Sequence, residues 1–351
     1  MGLLHSALIG GCLLLGPVAA MSQVVNVDSL RRAELNEIDQ ARSRASAATA
    51  IFLDRSRSVT DRLAAAQDLT TIVDTPQVAL AIRSALDPAE PAPVRVRAVR
   101  LVGYRVAFDT AVAGRLSTLA TGRSLPTDLR LEAVTQIARA SFTLPSPGLL
   151  GTLRAVSDDP DLEVRRTALR TLAGHADQTA LNLLAEGLRT PSKALVPPSE
   201  AVHLLGVADP APFYSMLHGV MLQPPDTATR VAAIQLLGGY GPSRQVIARY
   251  LQDSSEHASV RSAALGALAA GDPPGFPHVV VPIVANESTP EDLRLRAIKV
   301  VELMRTSRDP RVLRRAPDDF DRLMEQLADR SPAPAVREAA RTYQARTRSP
   351  H

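Results

Sequence analysis

The chain has 351 residues and is poor in the side chains that usually carry chemistry or cross-links. It has one cysteine, Cys12, no tryptophan, five tyrosines and six phenylalanines. If residues 1–20 are removed as a leader, no cysteine remains, which excludes disulfides and thiol chemistry and leaves packing as the only source of stability. Two lysines, Lys193 and Lys299, stand among 40 basic residues, and 36 acidic ones hold the formal net charge to +4. So small an excess, spread over a long surface without interleaved aromatics, argues against nucleic acid as a partner. Phosphate-binding glycine loops, the His-Glu-x-x-His zinc signature and the Gly-x-Ser-x-Gly nucleophile turn are absent. His175, His203, His218, His257 and His278 are scattered, and no two have the helical i, i+4 spacing of a metal pair, so no metal and no cofactor is expected. No run alternates like a strand.

What the chain does have is a repeat. Seven segments read aliphatic, Arg, two variable residues, Ala, then an apolar run: Val94-Arg95, Leu129-Arg130, Val164-Arg165, Thr229-Arg230, Val260-Arg261, Leu293-Arg294 and Val336-Arg337, with Thr229 the polar exception in the aliphatic slot. Arg95 to Arg130 and Arg130 to Arg165 are each 35 residues, Arg230 to Arg261 is 31, and Arg261 to Arg294 is 33. Arg165 to Arg230 is 65, close to two units, and a degenerate copy at Glu200–Gly206 fills the gap, while Asp61–Ala65 is an earlier copy. Arg294 to Arg337 is 43, so the last unit carries an insertion of about ten residues. A period of this length marks stacked supersecondary units, each unable to bury its apolar face alone. In the third copy, Leu162–Ala173 places Val164, Ala168, Leu169 and Leu172 on one helical face. After a turn at Gly174–Asp177, Thr179–Leu188 does the same with Leu181, Leu184, Ala185 and Leu188. The unit is read as this pair, the Arg-bearing helix first. Val279-Val280-Val281 looks β-like, but Pro277 and Pro282 flank it, and its place in the period assigns it to a helix. Thr75-Pro76, Ser146-Pro147, Asp209-Pro210 and Thr289-Pro290 mark helix starts. The acid clusters at Asp158–Asp161 and Asp318–Asp321 fall where helices begin and are read as caps.

This pattern resembles the HEAT-repeat family, and within it the bacterial HEAT-like repeats also seen in phycobilisome lyases. The resemblance covers about residues 56–346. It implies an all-α superhelix of about eight or nine helical hairpins. It also implies that Arg95, Arg130, Arg165, Arg230, Arg261, Arg294 and Arg337 form a structural ladder, each pairing with an acid near its own preceding turn. The candidates are Asp161 for Arg165, Asp226 for Arg230, Glu256 for Arg261, and Glu291 or Asp292 for Arg294. Arg95 and Arg337 follow Pro-Ala-Pro turns, with acids farther off at Glu90 and Asp329. The second helix of each unit is expected on the concave face, making Phe213, Tyr214 and Tyr250 candidate partner contacts, with core filling as their alternative role.

Residues 1–20 have the form of a secretory signal peptide: an apolar stretch from Ser6 to Leu15, a break at Gly16-Pro17, and small residues Val18-Ala19-Ala20 before Met21. The implied address is periplasmic or secreted. The alternative is an uncleaved membrane anchor, the one route to a membrane. Residues 22–55, with Leu30, Ala33, Leu35, Ile38, Ala41 and Ala45 at helical spacing, are expected to cap the apolar face of the first repeat. Residues 347–351 are a tail. The functional expectation is an exported, non-enzymatic scaffold or adaptor that binds a protein or peptide on its concave face. A lyase or nucleic-acid-repair-type enzyme and a structural spacer at the cell envelope are the alternatives.

Overall fold

The computed structural model describes residues 27–307 and 318–348. The signal-peptide reading and the insertion before the last unit lie outside the described residues; of the expected tail, Thr347 and Arg348 continue the last helix and residues 349–351 lie outside. The described chain forms eighteen α-helices, which pair in chain order into nine hairpins. These are α1 (Val27–Leu53) with α2 (Val59–Ala65), α3 (Thr75–Leu86) with α4 (Ala92–Val102), and α5 (Thr110–Thr121) with α6 (Thr127–Thr143). Next come α7 (Pro147–Ala155) with α8 (Leu162–Gly174), α9 (Gln178–Arg189) with α10 (Pro198–Val207), and α11 (Tyr214–Leu222) with α12 (Thr227–Leu237). The last are α13 (Gly241–Gln252) with α14 (Ala258–Gly271), α15 (Phe276–Ala285) with α16 (Glu291–Thr306), and α17 (Asp319–Arg330) with α18 (Pro334–Arg348). No strand occurs among the described residues. The Val279–Val281 stretch is helical, with Pro282 inside α15.

The pairing corrects the phase of the repeat. The Arg-bearing helix closes its hairpin instead of opening it: α8 packs more extensively on α7 than on α9, and α9 packs chiefly on α10. Sequence periodicity reports the length of a repeat but not its cut point; inter-helix packing sets that. Consecutive Arg-bearing helices pack on one another without a break from α2 to α18. In the other row, packing is extensive from α1 to α7 and again from α13 to α17, and α11 meets α13 through side chains: His218 lies 2.7 Å from the Ser243 hydroxyl and Tyr250 donates to the Met221 carbonyl at 3.4 Å.

Helix starts and stops follow local chemistry. Asp161, Asp226, Ser146 and Asp318 accept backbone N–H groups in the first turns of α8, α12, α7 and α17, and Asp318 forms a capping box with Asp321. The core is aliphatic and small: Val94, Ala98, Leu129, Ala133, Val164, Ala168, Leu169, Ala232, Ile234 and Ala264 are buried on the Arg-bearing helices. Small residues allow close helix approach, closest at α12 and α14. A Cβ added to Gly271 would lie 1.9 Å from the Gly238 carbonyl oxygen, and one added to Gly238 would lie 2.1 Å from that of Ala267. The N-terminal helix departs from expectation. Ala45, Ala48 and Phe52 pack into the core, but Leu35, Ile38 and Ala41 are exposed. At 27 residues α1 outreaches the hairpin it joins, so only its last turns can cover the stack. The side chains of Leu30 and Ala33 lie outside the described residues.

Candidate functional site

The recurring arginine is the fourth residue of its helix in all eight copies that carry it: Arg62 in α2, then Arg95, Arg130, Arg165, Arg230, Arg261, Arg294 and Arg337. A cation in the first turn opposes the helix dipole, so its partners must lie elsewhere. In four copies the guanidinium Nε donates to the carbonyl ten residues upstream, at the C-terminal end of the preceding helix. The bonds are Arg62 to Phe52 at 2.8 Å, Arg95 to Ala85 at 2.9 Å, Arg261 to Leu251 at 3.0 Å and Arg294 to Val284 at 2.9 Å. The negative end of one helix thus receives the charge that the positive end of the next one disfavours.

In four copies, Arg62, Arg130, Arg165 and Arg230, the guanidinium reaches forward to the next repeat. Arg62 pairs with Glu90 at 2.8 and 3.2 Å, Arg130 with Asp159 at 3.0 and 2.9 Å, and Arg230 with Glu256 at 2.9 Å. Arg165 donates to the Leu195 carbonyl 30 residues on, and to the carbonyls of Asp159 and Pro160. Arg337 bonds the carbonyls of Ser331 and Pro332. Of the seven arginines expected to pair with acids, Arg130 and Arg230 do so, and Arg95, Arg165, Arg261, Arg294 and Arg337 bond backbone carbonyls. Glu256 serves Arg230, not Arg261; Asp161 and Asp226 are N-caps; Asp292 pairs with Arg296 at 2.7 Å. The reason is geometric. An arginine one turn into its helix points across the stack, so the acid it meets belongs to the neighbouring unit. Burial raises the Glu90 carboxyl, but the hydrogen bonds and charge of Arg62, with the charge of Arg55, outweigh that and hold it below the usual glutamate range.

Of the three aromatic candidates, Phe213 is buried in the core and offers no contact surface. Tyr250 supports the ladder: the Arg230 guanidinium lies 5.3 Å from its ring centroid, and its hydroxyl bonds the Met221 carbonyl at 3.4 Å. Tyr214 is half-buried and packs 5.2 Å from the Tyr240 ring, which His218 meets edge-on. These side chains join hairpins. They do not form one surface.

The surface that does recur lies between consecutive Arg-bearing helices. A groove of about 480 Å³ runs between α2, α4 and α6, with Leu63, Val96 and Leu131 along its floor and Arg97, Arg100 and Glu132 along its walls. A second, of about 510 Å³, runs between α8 and α10, with Arg166, Arg170, Glu200 and His203 around Leu204. Ion pairs one repeat apart set the walls: Arg100 with Glu132 at 2.6 Å and Arg166 with Glu200 at 2.7 Å. The hydrogen bond and charge of Glu132 raise the Arg100 pKa above its ordinary value. In both pairs the acid is the more buried partner, so the guanidinium groups face outward. Arg97 donates to the carbonyls of Ala66 and Leu69 and so closes the C-terminal end of α2 from the next hairpin. Sequence reading missed these residues. Their signal was present in Arg100/Glu132 and Arg166/Glu200, separated by 32 and 34 residues, about one repeat. Among the described residues no group of three His, Cys, Asp or Glu could hold a metal ion, and no helix is long and apolar enough to cross a membrane.

A stack of nine hairpins, stapled across units by Arg62, Arg130, Arg165 and Arg230, is an α-solenoid. Residues 115–197, from within α5 to the start of α10, match the family HEAT repeats. Among solved structures the chain is similar to the CpcE–CpcF complex of phycocyanin lyase from Nostoc sp. PCC 7120. That match has 16% identity and a TM-score of 0.35, covering 76% of this chain and 94% of that one. It is also similar to a structure of Kap95p with RanGDP (13%, TM-score 0.42, 94% of this chain and 44% of that one) and to human deoxyhypusine hydroxylase (16%, TM-score 0.32, 90% and 99%). No curated protein matches the chain in sequence.

Proposed function

We propose that this protein is an exported, non-enzymatic scaffold that binds a protein partner along the face of its Arg-bearing helices. The observation that carries the proposal is the recurrence of one groove type between successive helices of the unbroken row. Each groove has an aliphatic floor and charged walls held by inter-repeat ion pairs. A rigid, repeating face of this kind suits an extended polypeptide crossing several units at the same spacing. Export rests on the pattern of residues 1–20 and is tested by N-terminal mass spectrometry of the periplasmic fraction, where the expected start is Met21. Persistence of residues 1–20 on a membrane-bound form would replace export with anchoring.

The binding proposal is tested by crosslinking the full chain in the envelope fraction and mapping the crosslinked residues. Crosslinks should concentrate on α4–α12 of the Arg-bearing row. Arg170→Glu combined with Gln235→Glu, both on exposed positions of that row, should abolish the captured partner, whereas Arg115→Glu on the opposite row should not. Equal loss with all variants, or no reproducible partner, would refute the proposal.

A further inference from the structure

The residue after the ladder arginine is Leu63 in α2, Val96 in α4 and Leu131 in α6, and all three are half-buried. They line the one groove of about 480 Å³ that crosses these helices. In α8 the same slot holds Arg166, so the aliphatic row ends there. One apolar side chain per helix, in three successive helices, acts as a ruler. Helices packed side by side stand about 8–10 Å apart. An occupant that seats an apolar side chain in each notch of the row must repeat at about that distance. A polyproline II chain does: three residues at about 3.1 Å each give ~9.3 Å, and every third side chain returns to the same face. A β-strand returns every ~6.6 Å and falls out of step by the second notch. An α-helix comes back near this distance only after seven residues, at ~10.5 Å.

The charges of the lining cancel: Arg97 and Arg100 stand against Asp128 and Glu132. A strongly acidic or basic ligand would gain from one pair and lose to the other, so the complementary ligand is uncharged. What the walls offer instead is hydrogen-bond donors. Arg100 commits Nε and Nη2 to Glu132 and keeps Nη1 without a bond among the described residues, on the more exposed side chain of the pair. A polyproline II backbone makes no internal hydrogen bonds, so its carbonyls are free to accept from such a donor. An α-helix bonds its carbonyls to itself and offers none. The lining holds no aromatic ring. Prolines here would hold the conformation at low entropic cost, and the aliphatic side chains would make the contacts. We infer that the groove across α2, α4 and α6 binds an uncharged, proline-rich segment of the partner protein in the polyproline II conformation, with an aliphatic residue at every third position. Two such residues fill the notches Leu63–Val96 and Val96–Leu131, and a carbonyl between them accepts from Arg100. This inference rests on the reading of the grooved face as the partner-binding face and adds what the partner presents there.

The test uses the full chain and three fluorescein-labelled, end-capped, uncharged peptides of about twelve residues, long enough at ~3.1 Å each to cross the three helices. The first repeats Leu-Pro-Pro. The second has the same composition with its leucines in adjacent pairs. The third is a helix former of Ala, Gln and Leu. The first should bind about tenfold more tightly than either of the others, with an affinity that hardly changes as salt rises. Val96→Ser and Leu131→Ser should each weaken it about tenfold, whereas Arg115→Ser on the opposite row should leave it unchanged. A photoreactive benzoylphenylalanine in place of a central leucine should crosslink within α2 to α6, a readout on the unaltered chain that any loss of stability in the variants leaves intact. Equal binding of the first two peptides, tighter binding of the helix former, a strong salt dependence or crosslinks outside α2 to α6 would overturn the inference, as would no binding at about 1 mM. Failure of the first peptide while envelope crosslinks still concentrate on the Arg-bearing row overturns this inference alone. Failure of both overturns the reading beneath it as well.

Discussion

Arg130→Met separates the ladder from the many surface ion pairs of this chain. Arg130 and Asp159 side chains are 5% and 1% exposed and meet through two bonds of 3.0 and 2.9 Å, with a third bond from Arg130 to the Leu125 carbonyl. Asp159 otherwise accepts only the Asp161 backbone N–H. Removing the guanidinium leaves a buried carboxylate without its counter-charge, a change that costs about 3–5 kcal/mol in comparable sites. Arg165 stays close, bonded to the Asp159 backbone carbonyl, so the lower end of that range applies, ~3 kcal/mol. In a stack stabilised by nearest-neighbour interfaces, that loss falls on the α6–α8 junction. Native-state hydrogen exchange should show backbone amides of α6 to α8 opening about 10²-fold more often, with α14 to α18 unchanged. Arg130→Met combined with Asp159→Leu removes both charges and should recover most of the loss. Arg123→Met, which breaks the Arg123–Asp158 pair with both side chains more than half exposed, should change nothing measurable. If Arg130→Met shifts exchange no more than Arg123→Met does, or if the double variant is as unstable as the single one, the inter-repeat staple is not what holds the units in register.

Three further outcomes follow from local geometry. Gly271→Ala should destabilise by about 1–3 kcal/mol or more, because its new Cβ would collide with the α12 backbone and not with a movable side chain. Gly266→Ala, in the same helix with nothing within 4 Å, should stabilise by about 0.5–1 kcal/mol; urea melts of both variants decide. Ala176 holds a φ of 51° in the turn after α8, so Ala176→Gly should raise stability by about 1 kcal/mol, and a lower melting temperature would contradict this. The Glu90 carboxyl titrates lower in the folded chain than in the unfolded one, so its contribution is full above its ordinary value of 4.5 and is lost as pH falls through the lowered folded value. Glu90→Gln should flatten that acid limb of the stability profile; an unchanged limb would assign it to other carboxylates.

The spacing of the arginines was enough to place the helices. The copy at Glu200–Gly206 lies in α10, and the β-like Val279–Val281 is helical because its place in the period outweighed its local propensity. Caps were readable at Ser146, Asp161 and Asp318, where one side chain answers one or two nearby N–H groups. At Thr75 and Thr289 the reading was one residue out: Asp74 and Pro290 hold the cap positions. The grooves were less legible. Arg100 and Glu132 stand 32 residues apart, and only the stacking of α4 on α6 makes them neighbours.

The sequence by itself determined that the chain is a series of amphipathic helices of near-constant period. Apolar spacing, prolines at helix starts and a recurring arginine are all local properties, written within one unit. The tertiary structure decided what passes between units: which helix closes each hairpin, which carboxylate or carbonyl each arginine meets, and which aromatics are core and which are surface. Those outcomes depend on how neighbouring helices pack, and packing joins residues about thirty positions apart, beyond the reach of any local pattern.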